Sequence, residues 1–360
     1  MRILIIDELS YPFIGGQQIR VKELAEEWSK KGHKVTIIAI GHIDNLPEVE
    51  IINEVQYKRL ITDKNYYKSG VFGRKINTII KYTLKLRSIF KESWDIILFT
   101  QFPVLPAIFN RWVYHARATT VIDFVEYRNS KLWNIINKLM LNSTDNVICI
   151  SNHVKKKANI FRKDNVNVVP SSVALKKAIS KSKSYYVFLG RLEVHKHPTD
   201  AIDAVMEYNR AYKKNEYIHI IGAGAMLENI ILKYSSNPNV VIHGSVNDEE
   251  KSEILSNARI MILPSEREGL PVSVIEAIAY DIPILTTNYP LNGTQFFVKE
   301  TGVGLIAEPS VSDLAKKICE IENRYTELSN VCRNVKYDYD IEINSNKYLE
   351  MAKSQRKIKE

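Results

Sequence analysis

Short apolar runs recur from one end of this chain to the other, and each gives way to a stretch with helical spacing. RILII (2–6), KVTIIAI (34–40), DIILFT (95–100), TTVIDF (119–124) and NVICI (146–150) make a first series. YYVFLG (185–190), YIHIIG (217–222), NVVIHG (239–244), ARIMILP (258–264) and IPILTT (282–287) make a second. A strand that is apolar on both faces has to be covered on both, and parallel neighbours need a helical crossover. Helices are expected at 17–32, 74–92, 103–117 and 130–142, between strands of the first series. The alternation predicts an α/β chain with two parallel sheets, hence two Rossmann-like domains. A length of 360 residues suits two cores better than one. The series part at VVPSSVALKKAISKSKS (168–184), rich in Ser and Lys as linkers often are. The expected layout is a domain at 1–170, a linker at 171–184, a domain at 185–340, and a last helix at about 341–360 that packs back on the first domain.

Charge is divided unevenly. Residues 1–180 hold 28 Lys and Arg against 16 Asp and Glu, a net +12, while residues 181–360 come to −3. The densest part, residues 64–91, has eight basic residues and no acidic one. It suits either contact with an anionic membrane surface or a helix on a sheet with a solvated basic face. Cys149, Cys319 and Cys332 have no paired spacing, which argues against a disulfide framework or a zinc site and fits a reducing compartment. The start, MRILIIDELSYPF, has a short apolar run without a cleavage-site pattern, so no signal peptide is expected. No run approaches the ~18 apolar residues of a membrane span. A cytoplasmic chain, held peripherally at the inner face of a membrane, is the expected setting.

Ligands of parallel sheets bind beyond the carboxyl ends of the strands, so motifs directly after strands matter most. Gly15 and Gly16 precede the first helix. Glycine lets a ligand approach the backbone and a helix N-terminus favours anions; without G-x-G-x-x-G, the pair suits an anion site or a plain turn. GRLEVHKH follows strand 185–190 and spaces Arg191 and Lys196 so that a loop can fold them around a diphosphate. His195 and His197 lack a carboxylate-rich neighbourhood and read as exposed loop residues rather than metal ligands. Gly222 and Gly224 permit a tight strand-to-helix connection, and Gly244-Ser245-Val246 can offer backbone groups to a base edge. In PSEREGLPVSVIEA (264–277) a helix is expected to start near Pro271. Its free N–H groups can receive phosphate, Glu276 can accept from a ribose diol, and Glu268 can reach a sugar hydroxyl. The competing reading is that these acids merely favour a helix start.

Taken in order, these motifs resemble those of the GT-B glycosyltransferases of family four, which are retaining and use nucleotide-sugars. The similarity runs through Gly15-Gly16 with VKELAEEWSKKGHKVTIIA, VICISNHVKKK, VVPSSV in place of Pro-Asn-Gly, FLGRLEVHK, IIGAG, VIHGSV and ILPSEREGLPVSVIEAIAYDIPILTT. The resemblance implies a GT-B fold, with the two sheets facing a central cleft, an acceptor domain first and a donor domain second. It implies that Arg191 and Lys196 neutralise the donor diphosphate, approached by Gly16 from the other domain. It further gives Glu276 the ribose and Glu268 the transferred sugar, with the Gly269 and Leu270 N–H groups facing sugar or phosphates. No metal is implied. The only Asp-x-Asp, Asp338-Tyr-Asp340, comes far too late for a metal motif. Two departures stand out: His197 follows Lys196 where glycine is usual, and VIDFVEYR (121–128) lacks the usual acceptor-side His, leaving Asp123, Glu126 or Arg128 to serve the acceptor.

The expected activity is transfer of a hexose-like sugar from a UDP- or GDP-linked donor to a hydroxyl of a glycan or lipid-linked acceptor in cell-surface polysaccharide synthesis. Glu268 and Asp123 are the expected catalytic carboxylates. No cofactor and no nucleic-acid partner is expected. The rival readings are a nucleotide-sugar epimerase on the same scaffold and a non-catalytic membrane-surface binder.

Overall fold

The computed structural model describes residues 1–360 except 14, 67–73, 176–182 and 354–360. Part of the basic 64–91 stretch and part of the 171–184 linker therefore lie outside the described residues. The chain forms two compact units, Met1–Ser172 with the C-terminal stretch from Ile341, and Val173–Asp340.

The first unit is built on β1 (Arg2–Ile6), α1 (Gly16–Lys30), β2 (Lys34–Gly41), β3 (Val49–Ile52), β4 (Val55–Thr62), α2 (Ile76–Ile89) and β5 (Ile96–Thr100). It continues through α3 (Leu105–Phe109, prolonged by a π turn over Asn110–Tyr114), β6 (Thr119–Phe124), α4 (Lys131–Leu141), β7 (Asn146–Cys149), α5 (Asn152–Ala158) and β8 (Val166–Val168). The strands lie in the order β3-β4-β2-β1-β5-β6-β7-β8. All pairs are parallel except β3–β4. That antiparallel hairpin is a departure from the purely parallel sheet expected. Residues Asn53 and Glu54 join it with φ of 49° and 63°, the left-handed pair that a two-residue hairpin turn requires.

The second unit comprises β9 (Tyr185–Leu189), α6 (Pro198–Tyr212), β10 (Ile218–Ile221), α7 (Leu227–Tyr234), β11 (Val240–Gly244), α8 (Asp248–Asn257) and β12 (Ala258–Leu263). Then come β13 (Arg267–Glu268), α9 (Val272–Ala279), β14 (Ile284–Thr287), β15 (Leu291–Asn292), α10 (Gly293–Thr301), β16 (Gly304–Ala307), α11 (Val311–Asn323) and α12 (Tyr325–Val335). Its main sheet runs β11-β10-β9-β12-β14-β16, all parallel, and β13 pairs with β15 as a short parallel arm. The last helix, α13 (Ile341–Lys353), belongs to the first unit.

Local sequence accounts for the layering. Val21, Leu24, Ala25 and Trp28 recur at i, i+3, i+4 and i+7 on α1 and are buried against the sheet. The same core takes in Tyr348, Leu349 and Ala352 of α13. Trp28 meets Tyr348 edge-on, with ring centroids 5.4 Å apart, and its Nε1 donates to the Ser345 carbonyl at 3.1 Å. The indole's polar edge is thereby satisfied inside an apolar layer.

Candidate active site

The carboxyl edge of the second sheet is assembled by interlocked loops. Gly190 N–H donates to the Ile221 carbonyl, Leu192 N–H to Ala223, Met226 N–H to Leu192 and Gly222 N–H to Gly244, all at 2.8–3.0 Å. Such close laying of backbone on backbone needs glycine. A Cβ on Gly222 would stand 1.9 Å from the Gly190 carbonyl oxygen, and one on Gly224 would stand 2.5 Å from that of Leu192. Both glycines also have positive φ, 141° and 157°. Their role is to hold the Gly-Arg-Leu loop, which agrees with the turn read from IIGAG.

Beyond that loop the chain makes one 3-10 turn, Val194–Lys196, and His197 takes φ +50° before Pro198 opens α6. Position 197 thus adopts the left-handed conformation that glycine tolerates best, which is why a glycine would suit it. His197 is held there by a 3.0 Å contact of Nδ1 with Asp200 and by stacking on Tyr289. The turn carries Lys196 inward. Its ammonium makes an ion pair with Oε1 of Glu268, which also accepts a 3.1 Å bond from Ser265 Oγ. Glu266 N–H donates to the His195 carbonyl at 2.8 Å, so the loops after β9 and β12 are tied by backbone as well as by charge. Both members of the pair are about nine-tenths buried. Arg191 is exposed and has no ion-pair partner among the described residues. Burial, aided by the cations Arg267, Lys196 and Arg191, pushes the His195 imidazole below its ordinary value, so it is neutral near pH 7.

Glu268 sits in β13, whose partner strand ends at Asn292. Asn292 is fully buried and bonds Thr286 Oγ1 and the Thr287 carbonyl while capping α10. Gly293 must be glycine, because a Cβ there would fall 2.0 Å from the Gly269 carbonyl oxygen. Leu270 is buried, Pro271 takes an extended conformation, and α9 begins at Val272 beside this arm, with Val274 N–H donating to the Pro271 carbonyl at 3.1 Å. α9 buries Val272, Val274, Ile275, Ala277, Ile278 and Ala279. Glu276 is the only ionisable residue on it. Its Oε1 lies 2.7 Å from Lys251 Nζ, and Lys251 also reaches Asp248 at 2.9 Å. Burial opposes the Lys251 charge, but Glu276 and Asp248 together hold its pKa above the ordinary value. Ser245 is exposed and Val246 half-buried, just before α8, where Asn247 and Glu250 form a capping box.

The structure therefore brings Lys196 together with Glu268, and ties Glu276 to a partner, Lys251, that the sequence had not singled out. DEEKSE reads as a solvated helix start, and nothing in its spacing announces a long-range bond.

In the first unit, Gly15 is the N-cap of α1 and Gly16 its first residue. A Cβ on Gly16 would meet nothing within 4 Å, so neither crowding nor a left-handed backbone calls for glycine there. The expectation for Asp123 is corrected. Asp123 is 1% exposed, and both carboxylate oxygens bond Arg20, at 2.8 and 3.0 Å. Arg20 in turn donates to the carbonyls of Pro170 and Val169. A carboxylate saturated in this way is a strut between α1, β6 and the end of the unit, with no face to offer an acceptor. Glu126 and Arg128 are half-buried and pair with each other at 3.3 Å. The residue missed is Asp7, directly after β1. It is fully buried, and burial pushes its pKa up to about 7 against bonds from Glu8 N–H, Gln17 and Thr100. An acid immediately after the central strand was the available signal.

Among the described residues, no three His, Cys, Asp or Glu side chains are grouped to hold a metal ion, and no helix is long and apolar enough to cross a membrane.

Two family models match the chain, Glycosyltransferase Family 4 over residues 14–177 and Glycosyl transferases group 1 over residues 174–338. Among curated proteins, the O-antigen biosynthesis glycosyltransferase WbnH of Escherichia coli is 29% identical over 312 residues, covering 79% of this chain and 86% of that one. A Campylobacter jejuni alpha-1,4-N-acetyl-D-galactosaminyltransferase whose named substrate is a PP-undecaprenol-linked glycan is 23% identical, covering 91% and 92%. Among solved structures, Anabaena HepE in complex with UDP and glucose superposes with a TM-score of 0.75 at 15% identity, covering 98% of this chain and all of that one.

Proposed function

Since the chain belongs to the GT-B glycosyltransferases of family four, we propose that it moves a hexose-type sugar from a UDP- or GDP-linked donor to a hydroxyl of a glycan or lipid-linked acceptor. The setting in this reading is the assembly of a cell-surface polysaccharide or glycoconjugate, by a cytoplasmic enzyme working peripherally at the inner face of a membrane. The observation that supports it most is the Lys196–Glu268 pair, which joins two strand-end loops beside the start of α9.

The donor diphosphate takes Lys196, Arg191 and the first N–H groups of α9, and the pair opens so that Lys196 faces phosphate and Glu268 a sugar hydroxyl. Glu276, oriented by Lys251, accepts from the ribose diol. Backbone groups at Ser245 and Val246 meet the base, and the N–H groups of Gly269 and Leu270 face the sugar or its phosphates. The bond between C1 and the diphosphate oxygen breaks, its electron pair leaves with the diphosphate, and the cations stabilise that growing charge. The acceptor hydroxyl attacks from the face the diphosphate leaves, forming the new C1–O bond, and its proton passes to the departing phosphate oxygen. This route uses no metal and needs no protein nucleophile.

A nucleotide-sugar thermal-shift screen identifies the donor. NMR of the product then reads its anomeric configuration. Retention is expected; an inverted product overturns the mechanism, and turnover of donor without any alcohol overturns transfer itself.

A further inference from the structure

The crossovers of the first unit place its charge on one side. β5, β6, β7 and β8 succeed one another outward from β1, and α2, α3, α4 and α5 lead into them in turn. Right-handed crossovers set these four helices on one face of the sheet, and the opposite step from β1 to β2 sets α1 on the other. α13 packs on α1, β6 and β7. α2 touches α3, α3 touches α4, and Tyr114 of the π turn donates to the Thr83 carbonyl on α2.

No residue of α2, α3, the π turn, α4 or α5 is Asp or Glu. The opposite face carries Glu23, Glu26 and Glu27 on α1 and Glu342 and Glu350 on α13. On the acid-free face, Lys81, Arg87, Lys131 and Lys138 are exposed and have no acidic partner among the described residues. Rows of apolar side chains stand exposed between them. Ile76, Ile80 and Leu84 follow at i, i+4 and i+8 on α2, with Leu84 56% exposed. Leu132, Ile135 and Leu139 follow at i, i+3 and i+7 on α4, with Leu132 62% exposed. Trp112, on the turn after α3, is 66% exposed.

We propose that this face docks on an anionic lipid bilayer, with the apolar rows entering the headgroup boundary and the lysines and arginines resting on lipid phosphates. Cations alone would suit any polyanion. Two ordered apolar rows on neighbouring helices, with an exposed indole in the same acid-free layer, suit an interface that has acyl chains beneath its charges. The inference deepens the lipid-side reading above by naming the surface that meets the membrane: α2, α4 and the turn after α3.

Sedimentation with phosphatidylcholine vesicles, with and without phosphatidylglycerol, tests it. The protein is expected to bind the anionic vesicles and largely ignore the neutral ones. Leu132→Ser with Ile135→Ser, and separately Lys81→Glu with Lys138→Glu, are expected to weaken binding about tenfold or more. These side chains are exposed, so both variants keep their circular dichroism and their nucleoside-diphosphate thermal shift. Lys30→Glu, on α1, is expected to bind vesicles like the parent. Failure of the parent protein to bind anionic vesicles overturns the proposal, as does parental binding by both face variants or equal loss in Lys30→Glu. Retention by an acidic protein surface with no vesicle binding also overturns it in favour of a protein partner. None of these outcomes touches the donor-site reading, which the thermal shift reports separately.

Discussion

Two buried ion pairs, Arg20–Asp123 in the first unit and Lys196–Glu268 in the second, are built differently. Arg20–Asp123 joins the first unit's α1 to the end of its β6. It is doubly bonded, and the guanidinium's remaining donors go to backbone carbonyls. Lys196–Glu268 joins two loops beyond the strand ends of the second unit. Among the described residues the ammonium pairs with Glu268 alone, and Glu268 has one further bond, from Ser265. The first pair is at most 2% exposed and offers no face to anything outside the protein. The second leaves donors on Lys196 and an oxygen on Glu268 without a protein partner among the described residues. Both acids attach to an apolar strand in the sequence, Asp123 as the next-to-last residue of β6 and Glu268 in the loop after β12. What separates a strut from a site is whether the partners leave a valence open.

Breaking each pair should therefore move different observables. Asp123→Ala strands a buried guanidinium, and is expected to cost about 3–5 kcal/mol of stability. In thermal unfolding that is a fall on the order of 10 °C. A variant that unfolds like the parent would mean the pair is not a strut. Glu268→Gln keeps the shape of the second site and removes its charge. It is expected to lower kcat about 100-fold or more, with a smaller loss of stability than Asp123→Ala because the Gln oxygen still accepts from Lys196, and a change confined to unfolding would erase the contrast drawn here.

Asp7 sharpens the comparison from the first unit's side. Its folded pKa of about 7 lies above the ordinary 3.8, so the native state binds the extra proton. The stability it contributes is full below about pH 4 and declines as pH rises to about 7, by up to ~1.4 kcal/mol per pH unit. Asp7→Asn is expected to flatten denaturation midpoints measured across that window; an unchanged slope would place the titration elsewhere. The smallest effect belongs to Lys251→Met. Loss of its bond to Glu276 is expected to raise donor KM about tenfold at nearly constant kcat, as removal of uniform binding does. A fall in kcat at constant KM would instead put Lys251 in the chemical step.

The two sheets were legible because strands buried on both faces are continuous apolar runs, such as IILFT in β5, where every residue is buried. The β3–β4 hairpin was not, since Asn53-Glu54 lacks the glycine that usually marks such a turn and the edge strands alternate with charge. In the second unit the residues singled out from the sequence lie in the loops beyond the strands or early in the helix that follows. Lys196 stands in the turn between β9 and α6, Glu268 in the arm between β12 and α9, and Glu276 in the second turn of α9. Partners far along the chain were hidden: Arg20 lies 103 residues before Asp123, and Lys251 belongs to a helix whose own sequence looks solvated. His197 shows a third case. Its left-handed backbone explains the departure from glycine only once the Asp200 and Tyr289 contacts that hold it are visible.

The most direct test is calorimetric titration of UDP and GDP into the parent protein and into Lys196→Met. If Lys196 holds the donor's phosphates, one of the two nucleotides binds the parent, and the variant binds it at least about tenfold more weakly while its unliganded unfolding stays within a few degrees. Equal affinity in the two proteins would contradict a donor site built on the Lys196–Glu268 pair.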